Sequence, residues 1–596
     1  MNASTFTPSF GAVPIQTGSQ PRTRFRFWAP NIEQAALEIE GREPLPMNRL
    51  PGGWFGLEAD CGAGARYRYR VRDDLAVPDP ASRRQADDVH DASVVCDPNA
   101  WQWKHPDWRG RPWHETVLYE LHPGICGGFD GIQKRLPELA ALGITAIELM
   151  PIADFPGPRN WGYDGVLHYA PDTAYGTPEQ LKAMIDAAHG LGIMVFLDVV
   201  YNHFGPDGNY IGAYASDFFN PDVHTPWGQA IDFRKRPVRD FFIENALYWL
   251  TEFRFDGLRF DAVHAIEEKD FLVEMAERIR AHVGESRHVH LVLENDENLA
   301  SLLERAPRRL YDAQWNDDMH HAFHVLLTGE RDGYYCGYTA EPAQKLARGL
   351  AEGFIYQGEP SPFADNRPRG EPSAHLPPAS FVVFLQNHDQ IGNRALGERL
   401  TTLADPRALR AAMGMLLLAP HIPMLFMGEE FGAREPFLYF TSHLTKELAD
   451  AVRNGRRQEF ARFPAFSDPA VRERIPDPNA EKTYTDSVPN PRRDDASDWL
   501  AWTRRLLELR RAHLFPRLEG ATALGASAIG PAAVLARWRM GDGAVLTLAA
   551  NLADAPAAVQ PLPAGALLFE TNAAAQGVAR GELPAHAFLA LLEEKA

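Results

Sequence analysis

The segment EQLKAMIDAAHGLG (179–192) runs directly into IMVFLDVV (193–200), and that junction decides the fold. The first half is amphipathic at helical spacing. The second is a short, unbroken apolar run that turns acidic only near its end, which is how a strand buried on both faces reads. The same alternation recurs along the chain, in TVLYELH (116–122), AIELMPI (146–152), FDGLRFDAV (255–263), HVHLVLEN (288–295), DAQWN (312–316), FVVFLQNHD (381–389) and IPMLFMGEE (422–430). Buried-type strands alternating with helices predict a parallel sheet, and eight of them is the number that closes a (β/α)8 TIM barrel. An open, doubly wound sheet is the structural alternative.

Outward from this core, residues 1–98 predict an N-terminal β-sandwich. TRFRFWAP (23–30), AALEI (35–39), GWFGLEA (53–59) and RYRYRV (66–71) cluster β-formers between Gly and Pro turns. The polar stretch 77–101 reads as the way out of it. The barrel is expected over 99–514. Two insertions without predicted regular structure interrupt it, 201–236 after the third strand and 356–378 before the seventh. Residues 480–497 read as a polar linker, and DWLAWTRRLLELRRAHL (498–514) as the helix that closes the barrel. Residues 515–596 return to short strands and predict a C-terminal β-domain. The fold class is thus α/β, a barrel flanked by two β-domains.

The net charge of −19 disfavours nucleic acid or an anionic membrane as partner, because both select basic surface. No run of about 18 apolar residues appears. The first residues, MNASTFTPSFGAVPIQTG, lack the basic start and apolar core of a secretory leader. Cys61, Cys96, Cys126 and Cys336 form no CxxC pair and have no His cluster beside them, so free thiols in a cytoplasmic setting are expected. No phosphate-binding Gly-rich loop is present and no cofactor is expected. Asp317 and Asp318 lack the spaced oxygen ligands of a calcium loop, so no metal is expected either.

Barrel enzymes carry their reactive groups at the C-terminal ends of strands. Here those ends supply Asp198, Asn202 and His203 after the third strand and Arg259, Asp261 and His264 on the fourth. Glu294 ends the fifth, and His388 and Asp389 end the seventh. Arg259 and Asp261 are two apart and face the same side, and an arginine beside a carboxylate keeps it ionised. Carboxylates on neighbouring strands suit glycoside hydrolysis, in which one attacks the anomeric carbon and the other protonates the leaving oxygen. Glu294 is preferred to Asp296 because it ends the apolar run HLVL.

DVVYNH (198–203), GLRFDAVH (257–264), LEN (293–295) and QNHD (386–389) resemble the four signature regions of the α-amylase superfamily, in order, and MPIADF (150–155) resembles its fifth. The resemblance implies Asp261 as nucleophile, Glu294 as acid/base and Asp389 as the group that holds sugar hydroxyls in the transition state. It implies that Arg259 orients Asp261, that His203 and His388 bind the sugar, that Tyr163 stacks on it, and that Asp198 and Asn202 are structural. WGYDGV (161–166), FVVFLQNHDQIGNRALGERL (381–400) and MLFMGEEFGAREPFLYFTSH (424–443) resemble the trehalose-releasing branch of that superfamily. That implies hydrolysis of the α-1,4 bond next to the terminal trehalose of maltooligosyl trehalose, with a maltooligosyl trehalose synthase as metabolic partner. WNDDMHH (315–321) and MLFMGEEFGAREPF (424–437) are expected over the cleft, where Asp317 and His264 would contact the substrate. Trp315 and Trp227 would serve there as sugar platforms or as loop packing. The sandwich resembles a glucan-binding module. A branching enzyme or a general α-amylase is the enzymatic alternative. LENDEN and QNHDQIGN differ from the EES or EDS and SHDE segments expected of a branching enzyme. A non-catalytic glucan-binding scaffold is the alternative of another class, and the presence of all three carboxylates argues against it.

Overall fold

The structure, a computed structural model, describes residues 8–17, 20–225, 228–563 and 565–595. Eight parallel strands close into a barrel: β1 (Leu118–Leu121), β2 (Ala146–Leu149), β3 (Met194–Val199), β4 (Gly257–Phe260), β5 (His290–Leu293), β6 (Ala313–Trp315), β7 (Phe381–Val383) and β8 (Ile422–Phe426). Leu118 of β1 pairs with Met424 of β8 and completes the ring. The apolar runs were legible because every barrel strand is buried on both faces.

The twofold periodicity of a strand explains how this barrel positions a site. Leu118, Ala146, Phe196, Val292 and Ala313 pack together inside the barrel as an apolar plug. Two residues further along the same strands come Glu120, Glu148, Asp198, Glu294 and Trp315. The interior therefore changes from apolar to acidic as it approaches the C-terminal face. Register adds the rest. Asp198 pairs with Arg259, and Phe260 pairs with Leu293, so Asp261 and Glu294 leave their strands at the same level.

The N-terminal residues form two sheets face to face. One contains Gly11–Thr17, Gln20–Trp28, Trp54–Ala59 and Asn48–Leu50, and the other is centred on Arg66–Arg72. Phe27 stacks on Tyr69 across the gap at 4.2 Å. The stretch 77–101 is polar, but it is no exposed exit. Asp79 is buried and accepts hydrogen bonds from Tyr67 Oη (2.7 Å) and Tyr69 Oη (3.0 Å), and Ser93–Val94 pairs with Arg66–Arg72. Its polarity satisfies buried hydroxyls, which cannot be left unpaired.

Both insertions contain regular structure. The first holds a hairpin, Phe219–Thr225 with Gly228–Ile231, and the second a hairpin, Glu359–Ser361 with Arg367–Arg369. Trp227 lies outside the described residues. The expected linker at 480–497 is packed: Thr483 and Ser487 are buried, and Ser487 Oγ accepts from Leu438 N at 3.0 Å. Short hydroxyl side chains that bond backbone read as linker in sequence and serve as packing here. The closing helix Ala496–Leu509 continues through a π-turn to Leu514, where buried Arg510 donates to the carbonyls of Leu417, Ala419 and His421. The C-terminal residues form a five-stranded sheet. All four cysteines are free, and among the described residues no helix is long and apolar enough to cross a membrane.

Candidate active site

Arg259 is the hub of the site. Its side chain is fully buried, with the guanidinium 4.2 Å over the Trp315 ring. Nη1 donates to Asp198 Oδ2 (2.6 Å) and Asp261 Oδ1 (2.9 Å), and Nη2 donates to Glu294 Oε2 (2.7 Å). Burial opposes its charge, but Asp198 and Glu294 outweigh that and hold its pKa well above the ordinary value. Two of the three carboxylates singled out in the sequence thus share one cation. Asp261 is further fixed by Asn202, whose Nδ2 donates to Oδ2 at 2.8 Å. Glu294 Oε2 also accepts from Ala262 N at 2.8 Å. That amide is aimed by a left-handed backbone at Ala262, φ +41°, a strained conformation for a residue with a Cβ.

Burial raises the Asp198 carboxyl to about 7, with Arg259 pulling it back. It also accepts from Tyr163 Oη at 2.7 Å. Tyr163 stacks on His388, ring centroids 5.1 Å apart. His203 places its ring nitrogens on Asn202 Oδ1 and on the Tyr163 carbonyl (2.9 Å). His388 Nδ1 meets Glu120 Oε1, and its Nε2 lies 3.4 Å from Asp389 Oδ1.

Asp389 and Glu294 line a cavity of about 690 Å³ together with His264, Asp296, Asp317 and Gln390. Its lining also includes aromatic rings, those of Tyr334, Tyr338, Phe460, Phe463 and Phe466. Asp317 and Asp318 diverge. Asp317 faces the cavity, where Gln390 Nε2 donates to it at 2.9 Å. Burial, then the charges of Glu294, Asp296 and Asp389, push its pKa well up. Asp318 is buried and accepts from Ile355 N and Tyr356 N. Asp296 is exposed and ion-paired to Arg369 at 2.9 Å, whereas Glu294, the next residue after Leu293 of β5, is held on Arg259.

Two expectations need correction. Trp315 is no platform above the barrel; it sits inside it, 1% exposed, as the floor under Arg259. The segment MLFMGEEFGAREPF does not reach the cavity with its acids. Glu429 and Glu430 are buried and turn back onto Phe426 N (2.7 Å) and Gly428 N (2.9 Å). The phenylalanines of that lining come from later in the same excursion, at 460–466, and its tyrosines from Gly333–Tyr338.

Comparison with known proteins places this geometry in a family. A model of the alpha-amylase catalytic domain matches residues 96–246, and a domain of unknown function, DUF3459, matches 521–589. The malto-oligosyltrehalose trehalohydrolase of Deinococcus radiodurans is 40% identical over 84% of this chain and 82% of its own. That of Saccharolobus solfataricus is 38% identical over 82% of this chain and 85% of its own. The chain belongs to the malto-oligosyltrehalose trehalohydrolase family. A Salmonella typhimurium crystal structure described as a candidate alpha amylase superposes with TM-score 0.92 at 43% identity, covering 99% of this chain and 100% of that one. A pullulanase from Paenibacillus barengoltzii shares the fold, with TM-score 0.70 at 20% identity over 99% of this chain and 96% of that one.

For this trehalohydrolase-family chain, two site residues escaped the sequence reading. Glu120 partners His388, and Glu148 is a buried carboxyl beside it on β2, pushed well up by burial and by Asp198 and Glu120. Each is a lone acid in an apolar strand two residues beyond a core position. The signal that could find them is the strand period, which puts each on the same face as the core residue before it.

His388 carries a pH prediction. Burial disfavours its charge, yet Asp389 and Glu120 hold it protonated up to about 9, against 6.5 for an ordinary imidazole. A folded pKa above the unfolded one gives stability that is complete below 6.5 and lost as pH rises through about 9. The Tm advantage of the native protein over His388→Gln should therefore narrow between those values. A difference that stays constant across the window contradicts the assignment.

Proposed function

We propose that this protein is a retaining glycoside hydrolase that cleaves the α-1,4 bond next to the terminal trehalose of maltooligosyl trehalose and releases trehalose. The observation that carries the chemistry is the sharing of Arg259 between Asp261 and Glu294. Two carboxylates on one guanidinium suit the close spacing of a retaining pair, about 5 to 5.5 Å.

In this reading Asp261, paired with Arg259 and aimed by Asn202, attacks the anomeric carbon. Glu294 has Oε2 engaged by Arg259 and Ala262 N, which leaves Oε1 for the glycosidic oxygen. It gives its proton to the departing trehalose, then takes one from the water that releases the glucosyl enzyme. Asp389 and protonated His388 hold hydroxyls of the reacting sugar and Tyr163 stacks on it, while His203, expected on the sugar, turns its ring nitrogens to Asn202 Oδ1 and the Tyr163 carbonyl and so secures the Tyr163 backbone. Asp317, whose proton affinity burial and the neighbouring acids raise, faces the leaving sugar, and His264 lines the same end. The domain limits 1–98, 99–514 and 515–596 and a cytoplasmic setting belong to the same reading. Substrate must come from an enzyme that converts a reducing-end α-1,4 linkage to a 1,1 linkage, a maltooligosyl trehalose synthase, and the two need not bind.

NMR of the reaction on maltooligosyl trehalose tests this. The expected products are trehalose and a malto-oligosaccharide whose new reducing end appears first as the α-anomer. A β-anomer appearing first overturns retention. New α-1,6 branches transfer the reading to a branching enzyme.

A further inference from the structure

The second insertion has no role in the scheme above, yet it drives an arginine into the cleft. Its hairpin ends at Arg369, whose side chain is 10% exposed and lines the cavity beside Glu294. Nε donates to the Asp296 carbonyl (2.6 Å), and Nη2 meets Asp296 Oδ1 (2.9 Å). Nη1 donates to Asp318 Oδ1 (2.9 Å) and lies 3.1 Å from Tyr338 Oη. The guanidinium lies 5.3 Å from the Tyr356 ring centre. One cation thus ties the loop after β5 to the helix after β6.

That loop carries Glu294, two residues before Asp296. From the other side, Asp296 N donates to His264 Nδ1 at 3.3 Å. The charges facing this end of the cleft are mostly acidic. Asp296 stands in the loop, Asp317 and buried Asp318 on the helix, Asp389 after β7, and Glu294 itself. Of the nearby cations, Lys269 is paired with Glu297 (2.8 Å) and Arg394 with Glu330 (2.7 Å). Arg369 is the one held on Asp296.

We propose that Arg369 is a positioning residue for the acid/base: it fixes the loop that carries Glu294 and cancels the charge of Asp296, so that Glu294 can release its proton to the leaving sugar. The inference rests on the reading of Glu294 as acid/base. A retaining enzyme needs that group to cycle between protonated and ionised forms. An uncompensated carboxylate two residues away holds the proton more tightly, because a neighbouring like charge disfavours ionisation. Loss of Arg369 therefore raises the proton affinity of Glu294, and loss of the Asp296 charge lowers it.

The alkaline limb of kcat/KM reports the acid in the free enzyme, so it is the readout. Profiles on maltooligosyl trehalose are compared for the native protein, Arg369→Gln, Arg369→Lys, Asp296→Asn and the double variant Asp296→Asn with Arg369→Gln. Arg369→Gln should move the limb up by about 0.5 to 1 pH unit and lower kcat about tenfold at neutral pH. Arg369→Lys should keep the limb in place, because the charge is kept while the forked geometry is lost. Asp296→Asn should move the limb down, and the double variant should return it to the native position. A limb that stays put in Arg369→Gln overturns the proposal. If Arg369→Gln does not fold, an unmoved limb in Asp296→Asn overturns it alone. Glu294→Gln separates the two readings. If that variant stays active, the acid/base assignment itself fails. If it is inactive while the other limbs do not move, only the role of Arg369 fails.

Discussion

Replacement of Asp261 by asparagine is expected to lower kcat by on the order of 10⁴ or more while the protein still folds. The loss follows from chemistry, since an amide cannot form the glycosyl ester that a retaining pathway passes through. Survival of the fold follows from the hydrogen bonds. Arg259 keeps Asp198 at 2.6 Å and Glu294 at 2.7 Å, so the variant leaves no buried cation unpaired. Replacing Arg259 by alanine is a different experiment. It strands three carboxylates around a cavity, and removing one partner of a buried ion pair costs about 3 to 5 kcal/mol. A dead Arg259 variant says little about chemistry, whereas a dead, folded Asp261 variant identifies the nucleophile. The measurement is kcat alongside a thermal melt. A folded Asp261→Asn protein that keeps a tenth of native activity removes Asp261 from that role. Glu294→Gln should fall as far on the natural substrate and recover in part on substrates whose leaving group needs no proton.

The barrel and the core of its site were legible because both write themselves locally. A buried parallel strand is an apolar run, and DVVYNH, GLRFDAVH, LEN and QNHD lie within or just beyond such runs, where the strand fixes which way Asp198, Asp261 and Glu294 leave it. What failed to read was set by distant partners. Asp79 gives a loop-like stretch its buried role only because Tyr67 and Tyr69 reach it from another strand. The hydroxyls of 480–497 read as linker until Leu438 supplies a donor. Glu429 and Glu430 sit beyond β8 like catalytic acids, yet the chain turns them inward onto its own amides. Sequence spacing gives the strand from which a side chain departs; it does not give the curvature of the loop that follows. Glu120 and Glu148 are the opposite case, because strand periodicity alone placed them inside the barrel. Their partners, His388 for Glu120 and the acidic neighbours for Glu148, come from other strands, so their part in the site is set by the closed barrel and not by the local sequence.

The protein should hydrolyse maltooligosyl trehalose with kcat/KM about 10- to 10⁴-fold above that for the malto-oligosaccharide of equal length. Asp261, Glu294 and Asp389 act on a glucosyl unit common to both substrates and cannot separate them. Discrimination has to arise where the leaving sugars differ, on the Glu294 side of the bond. Glu294 lines a cavity of about 690 Å³ whose walls carry both acids and aromatic rings. Phe460, Phe463 and Phe466 line it, and aromatic rings suit the apolar face of a sugar. Asp317 and Gln390, joined at 2.9 Å, offer a donor and an acceptor close to the bond. A 1,1-linked pair folds its second ring back differently from a 1,4-linked pair and has no reducing end. A maltose terminus held in the same cavity must therefore leave some of these polar groups without partners. Each buried group left unpaired costs roughly 1 to 3 kcal/mol, and one or two of them give the stated range. Truncating the wall with Phe463→Ala should shrink the ratio by raising KM for the trehalose-ended substrate more than for the other. The decisive comparison is kcat/KM on both substrates with both products identified. Equal values place this cleft with a general α-amylase, whatever the carboxylates do.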